Sequence, residues 1–127
     1  MKTITRILLV ALFAGSMSLA NAAAVQVWEC SLNDGKTFDD LKGVSSAWLA
    51  ATKSMAGGEN IEAYYNYPVA ANTGGSGFNF VVITPDFEAW GKLTEAYPGS
   101  ASQKADEAWG EVAECKGNSL WASEQVE

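Results

Sequence analysis

Five side chains in this 127-residue chain are of types that could orient or polarise a small ligand: Glu29, Tyr65, Asn66, Tyr67 and Asn79. A carboxylate enclosed by apolar groups has a raised pKa and can work as a general acid or base. The bland alternative for Glu29 is a strand-end carboxylate in water. The amides of Asn66 and Asn79 can hydrogen-bond a ligand or be satisfied locally, and the tyrosines can wall a pocket or fill a core. No residue is assigned to catalysis. The chain has no His, no G-x-S-x-G, no P-loop and no dinucleotide fingerprint, so the common nucleophile–base and phosphate-cradle chemistries have no sequence support.

Metal chemistry finds no support either. A Cys/His zinc site is excluded without histidine, and Cys30 and Cys115 alone make a poor ligand set. Asn33-Asp34-Gly35 followed by Asp39-Asp40 has the oxygen-rich composition of a calcium loop but not the EF-hand spacing. A turn followed by an acidic helix start explains it better. No metal and no cofactor are expected.

The N-terminus reads as an export signal. Lys2 and Arg6 precede an apolar core, Ile7 to Ala14, too short to span a bilayer, and Ala20-Asn21-Ala22 is an A-x-A cleavage pattern. Residues 1–22 are therefore expected to be removed, leaving 23–127 as one domain in the periplasm or outside the cell, with no membrane insertion after cleavage. In that oxidising compartment Cys30 and Cys115 are expected to pair. Their spacing is not the C-x-x-C of a redox centre. A bridge closing most of the mature chain contributes about 4–5 kcal/mol in the loop-entropy model.

Cleavage removes two of the eight basic residues and none of the fifteen acidic ones, leaving six against fifteen, a net charge of −9, and no Arg. Nucleic acid and anionic membrane surfaces are poor partners for such a chain. Solubility accounts for the acidity, and a cationic ligand is compatible with it.

The elements that must position these residues follow from periodicity. Val25 to Leu32 alternates as a strand, with Val25, Val27 and Glu29 on one face and Gln26, Trp28, Cys30 and Leu32 on the other. Thr37 with Asp40 is a capping-box-like start to a helix carrying Leu41, Val44, Trp48, Ala51 and Met55 on one face, stopped by Gly57-Gly58. Ile61 to about Val69 is a second strand that Pro68 confines to an edge, and Ala70 to Gly77 is a hairpin connection. Phe80-Val81-Val82-Ile83 is a strand covered on both faces. Thr84-Pro85-Asp86 then opens a helix bearing Phe87, Trp90, Leu93 and Tyr97, with Thr84 as the cap. After Pro98-Gly99-Ser100 the chain reads as helical again from Ala101 to about Cys115, and Leu120 to Val126 as a last strand.

This β-α-β-β-α-β order resembles the ferredoxin-like fold, an α+β class with a four-stranded antiparallel sheet and helices on one face, and more narrowly the dimeric α+β barrel superfamily. The resemblance spans residues 25–126 and rests on element order and two-faced apolar strands. It implies the strand order 4-1-3-2, which brings the end of the first strand, the end of the second helical region and the start of the last strand to one end of the sheet. Cys30 and Cys115 fall at the first two of these places, compatible with a bridge. Trp28 and Leu32 then face the helices, while Val25, Val27 and Glu29 face a partner sheet or an enclosed cavity, as in a homodimer.

The expected function is non-catalytic binding of a small apolar or aromatic ligand in an aromatic-lined pocket between sheet and partner sheet. The resemblance implies an alternative, a cofactor-independent monooxygenase acting on quinol-type aromatics, for which Trp28, Asn66 and Asn79 are of the right type. A further alternative is a structural or interaction protein of the cell envelope, its cavity filled by its own Tyr and Trp rings.

Overall fold

The computed structural model describes residues 22–70 and 77–126. The expected signal segment and most of the hairpin connection between the middle strands lie outside them. The element order is β1 (Ala23–Leu32), α1 (Phe38–Lys53), β2 (Glu62–Asn66), β3 (Gly77–Thr84), α2 (Phe87–Ala96), α3 (Ala101–Gly110) and β4 (Ala113–Ser123). The four strands form one sheet in the order β2-β3-β1-β4, all neighbours antiparallel. This is the split β-α-β arrangement implied by the element order.

The start of α1 follows from its cap. The Thr37 hydroxyl accepts from the Asp40 amide at 3.3 Å, and the Asp40 carboxylate accepts from the Thr37 amide at 2.9 Å. Hydrogen bonds from Thr37 hold the Asp40 carboxyl below its ordinary pKa. The helix ends at Lys53, before the glycine pair. Gly57 and Gly58 serve a different purpose: a Cβ at either would collide with backbone, at Gly57 with Ala89 and Leu93 of α2 and at Gly58 with Thr52. Gly57 also has φ +83°. Gly57 therefore lets the turn after α1 pass tightly against α2, and Gly58 lets it fold closely onto the end of α1.

Several boundaries differ from the sequence expectation. Asp86, not Thr84, caps α2, its carboxylate accepting from the Ala89 amide at 2.7 Å. Thr84 is the buried last residue of β3. More consequentially, α3 stops at Gly110 and β4 begins at Ala113, so Cys115 lies in a strand rather than at a helix end. Glu114 to Ser119 looks unlike a strand because it is polar and contains Gly117. An edge strand needs only one backbone partner, and β1 supplies it. The Val112 amide closes the turn onto the Trp109 carbonyl at 3.0 Å, and Asn33 receives the chain there, donating its side-chain amide to the Gly110 carbonyl at 3.0 Å. β2 is also shorter than expected, leaving Tyr67 and Pro68 beyond its end.

Cys30 and Cys115 are bonded and stand opposite one another on adjacent strands, 85 residues apart in sequence. The β1–β4 register shifts between Glu29 and Cys30, so Glu29 faces Gly117 while Cys30 faces Cys115, with Lys116 as the extra residue of a bulge. The core lies between the sheet and the helices: Leu41 and Trp48 from α1, Phe78, Phe80 and Val82 from β3, Trp109 from α3 and Cys30 from β1. The Trp109 indole N–H donates to Ser45 Oγ at 2.8 Å, joining α3 to α1. Thr52 donates to the Trp48 carbonyl, so the 2.7 Å contact between Thr52 and Ser102 hydroxyls has Ser102 as donor. No buried side-chain nitrogen or oxygen among the described residues lacks a partner.

Candidate functional site

Between the helices and the sheet lies a cavity of about 360 Å³. Its floor is the inward face of the sheet, where alternation on β1 presents Gln26 and Trp28 and on β3 presents Phe80, Val82 and Thr84, with Cys115 at the β4 side. Its walls are helical: Trp48 and Thr52 from α1, Trp90, Leu93 and Tyr97 from α2 and its C-cap, and Ser102, Asp106 and Trp109 from α3. Four of the five tryptophans therefore border one space. Phe80 sits at its centre, with ring centroids 5.3 Å from Trp48, 5.4 Å from Trp109 and 6.0 Å from Trp28.

The polar groups of this space are tied to one another. The Trp90 indole N–H donates to Gln26 Oε1 at 3.3 Å, linking α2 to the sheet floor. The Tyr97 hydroxyl donates to Asp106 Oδ2 at 2.8 Å, linking α2 to α3. Burial, then the hydrogen bond to Asp106 and its negative charge, push the Tyr97 phenol above its ordinary pKa, so it remains a neutral donor across the physiological range. Gly99, with φ +75°, turns the chain between α2 and α3 and brings the pair together.

The residues singled out from the sequence fall elsewhere. Register places Asn66 opposite Asn79 and Asn79 opposite Glu29, one polar row on the outer face of the sheet, away from the helices. All three are exposed. The next rows on that face are Tyr64, Val81, Val27 and Ser119, then Glu62, Ile83, Val25 and Trp121. Tyr65 points the other way, packing against Phe78 and Phe80 with its hydroxyl 3.4 Å from the Leu41 carbonyl. Tyr67 is 60% exposed beyond the end of β2, its ring against Phe38. The structure thus brings Glu29, Asn66 and Asn79 together and separates them from Tyr65 and Tyr67. None of the five lines the cavity.

The cavity of the described chain lies between sheet and helices, on the opposite face of the sheet from the expected pocket between sheet and partner sheet. Trp90, Leu93 and Tyr97 were legible as one helix face, but a face that packs a core and a face that walls a cavity have the same periodicity. One signal was available: Gln26 shares its strand face with Trp28 and Cys30, and a polar amide on the helix-facing side marks a place the core does not fill.

No protein-family profile matches the chain, and no curated protein matches it in sequence. Solved structures do resemble it. SnoaB, a cofactor-independent oxygenase from Streptomyces nogalater, superposes with a TM-score of 0.55 at 11% identity, over 83% of this chain and 96% of that one. The chain has the ferredoxin-like fold. Weaker likenesses are to a dimeric protein of unknown function from Bacteroides fragilis (TM-score 0.42, 10% identity, 81% of this chain and 96% of that one). Another is to the RPA0582 protein of unknown function from Rhodopseudomonas palustris (0.48, 9%, 84% and 85%).

Proposed function

We propose that the protein is exported and binds a small aromatic ligand, without catalysis, in the cavity between its sheet and helices. The observation that carries this reading is one half-open space of about 360 Å³ bordered by Trp28, Trp48, Trp90, Trp109 and Phe80. That volume lies within the range of small-molecule sites, and a mostly apolar wall with a few placed polar groups is their usual construction. Its hydroxyl, amide and phenol groups are engaged with protein partners, which leaves orientation rather than proton transfer as their work. A cavity filled by the protein's own rings, the envelope-protein alternative, is not favoured by an open space of this size.

Export is supported by the signal pattern of residues 1–22 and by the Cys30–Cys115 bridge, a bond that persists in oxidising compartments. Among the described residues no helix is long and apolar enough to cross a membrane. A homodimer is part of the same proposal. Val25, Val27, Val81 and Ile83 make the middle of the outer sheet face apolar, and Trp121 on it is 61% exposed. A second copy packed on this face would cover them, with Glu29, Asn66 and Asn79 as a polar row at one end.

The oxygenase reading has one specific support, the shared fold with SnoaB. Of the residue types it pointed to, Trp28 borders the cavity while Asn66 and Asn79 do not. Oxygen uptake with a hydroquinone as probe, absent without protein, would establish it.

The binding reading is tested by native mass spectrometry of protein purified from the periplasm. The expected spectrum is an oxidised dimer carrying extra mass that is lost on activation. A bare protein that also produces no heat with neutral naphthalene alcohols would overturn it.

A further inference from the structure

Within the binding reading above, and resting on it, we infer that the ligand is a cation: a planar aromatic amine whose ring lies among the tryptophans and whose ammonium sits at Asp106. Of the side chains lining the cavity, Asp106 is the one carboxyl group, and no Lys or Arg lines it. Asp106 is exposed, at the open side of the cavity; its Oδ2 accepts the Tyr97 hydroxyl, and its other oxygen has no protein hydrogen-bond partner among the described residues and faces solvent. The ion pairs among those residues are Lys42–Asp39 and Lys92–Glu88, and neither involves Asp106. A carboxylate oriented by a neutral phenol and left without a countercharge at an aromatic space suits an ammonium and repels a carboxylate.

The walls add to this preference. The indole N–H groups of Trp90 and Trp109 are spent on Gln26 and Ser45, so these rings offer the cavity carbon and π-electron density rather than donors. Tryptophan is the strongest aromatic partner for a cation. The excess of acidic residues acts in the same direction at longer range, drawing cations toward the protein at low salt.

The test uses one ring with three charges: 1-naphthylmethylammonium, 1-naphthylmethanol and 1-naphthoate, titrated calorimetrically into the oxidised protein near neutral pH. The ammonium should bind about tenfold more tightly than the alcohol, and the carboxylate more weakly than either. In Asp106→Asn the ratio of ammonium to alcohol affinity should fall to the smaller preference that the rings and the long-range charge supply. Equal affinities in the unmutated protein, a preference for naphthoate, or an ammonium preference undiminished in Asp106→Asn would each overturn the inference while leaving the cavity as a binding site. Failure of all three probes would instead overturn the binding reading. If Asp106→Asn does not fold, the unmutated protein still decides. Its ammonium advantage must shrink as salt is raised, and an unchanged ratio overturns the role of Asp106.

Discussion

The two faces of one sheet do different work with the same alternation. On the inward face Trp28, Phe80 and Val82 lie under three helices, and the space left among them is the cavity. On the outward face Val25, Val27, Val81 and Ile83 are just as apolar, yet no element of the described chain covers them. Val81 is 7% exposed even so, shielded by its neighbours on the central strand, while Trp121 on the edge strand is 61% exposed. Composition alone does not separate a face that borders a cavity from a face that no helix covers. What separates them is which side the connections between strands take, and here the helical connections all take one.

That contrast can be broken at several points, the largest first. Replacing both Cys30 and Cys115 by serine removes the staple under the inward face. Unfolding of the oxidised protein in denaturant should show a loss on the order of 4–5 kcal/mol, and an unchanged midpoint would deny the bridge its stabilising role. Phe80→Ala, at the centre of the inner aromatic cluster, should cost about 3–5 kcal/mol, whereas Val27→Ala on the outer face should cost less than half of that in the monomer. Equal losses would show that the outer face is as closely packed as the inner. Val27→Asp should lower the sedimentation coefficient to that of a single chain. No change would mean that the face is not an interface.

A smaller effect comes from Tyr97. Its phenol is raised above the ordinary value of 10.0 in the folded protein, so above that pH the unfolded chain gives up this proton before the folded one does. The contribution is complete below pH 10.0 and is lost as pH rises beyond it. Tyr97→Phe should therefore flatten part of the alkaline fall in stability, measured as the denaturant midpoint on either side of that pH. The smallest effect belongs to Asn79→Ala, an exposed outer-face residue. Stability should move by less than about 0.5 kcal/mol and ligand affinity not at all, so a drop in affinity would return the binding site to the outer face.

Much of this architecture was legible before any coordinates. The alternation of Val25 to Leu32, the Thr37–Asp40 box, the apolar run at Phe80 and the spacing of Trp90, Leu93 and Tyr97 are local patterns, and local patterns set element type and facing. The cysteine pair was legible from redox logic, but its position was not. Reading Cys115 as helical missed that β1 supplies all the partners a polar edge strand needs.

The candidate site was the least legible part. Glu29, Asn66 and Asn79 share a row through strand register, a long-range property, while Tyr97 meets Asp106 because the turn at Gly99 sets α2 against α3. The sequence by itself determined the order of the elements and most of their buried faces. Only the tertiary structure decided that the tryptophan faces, indistinguishable from core by periodicity, stop short of closing on one another. A helix face records only that it avoids water, whereas a cavity depends on the distance between elements that lie far apart in the chain.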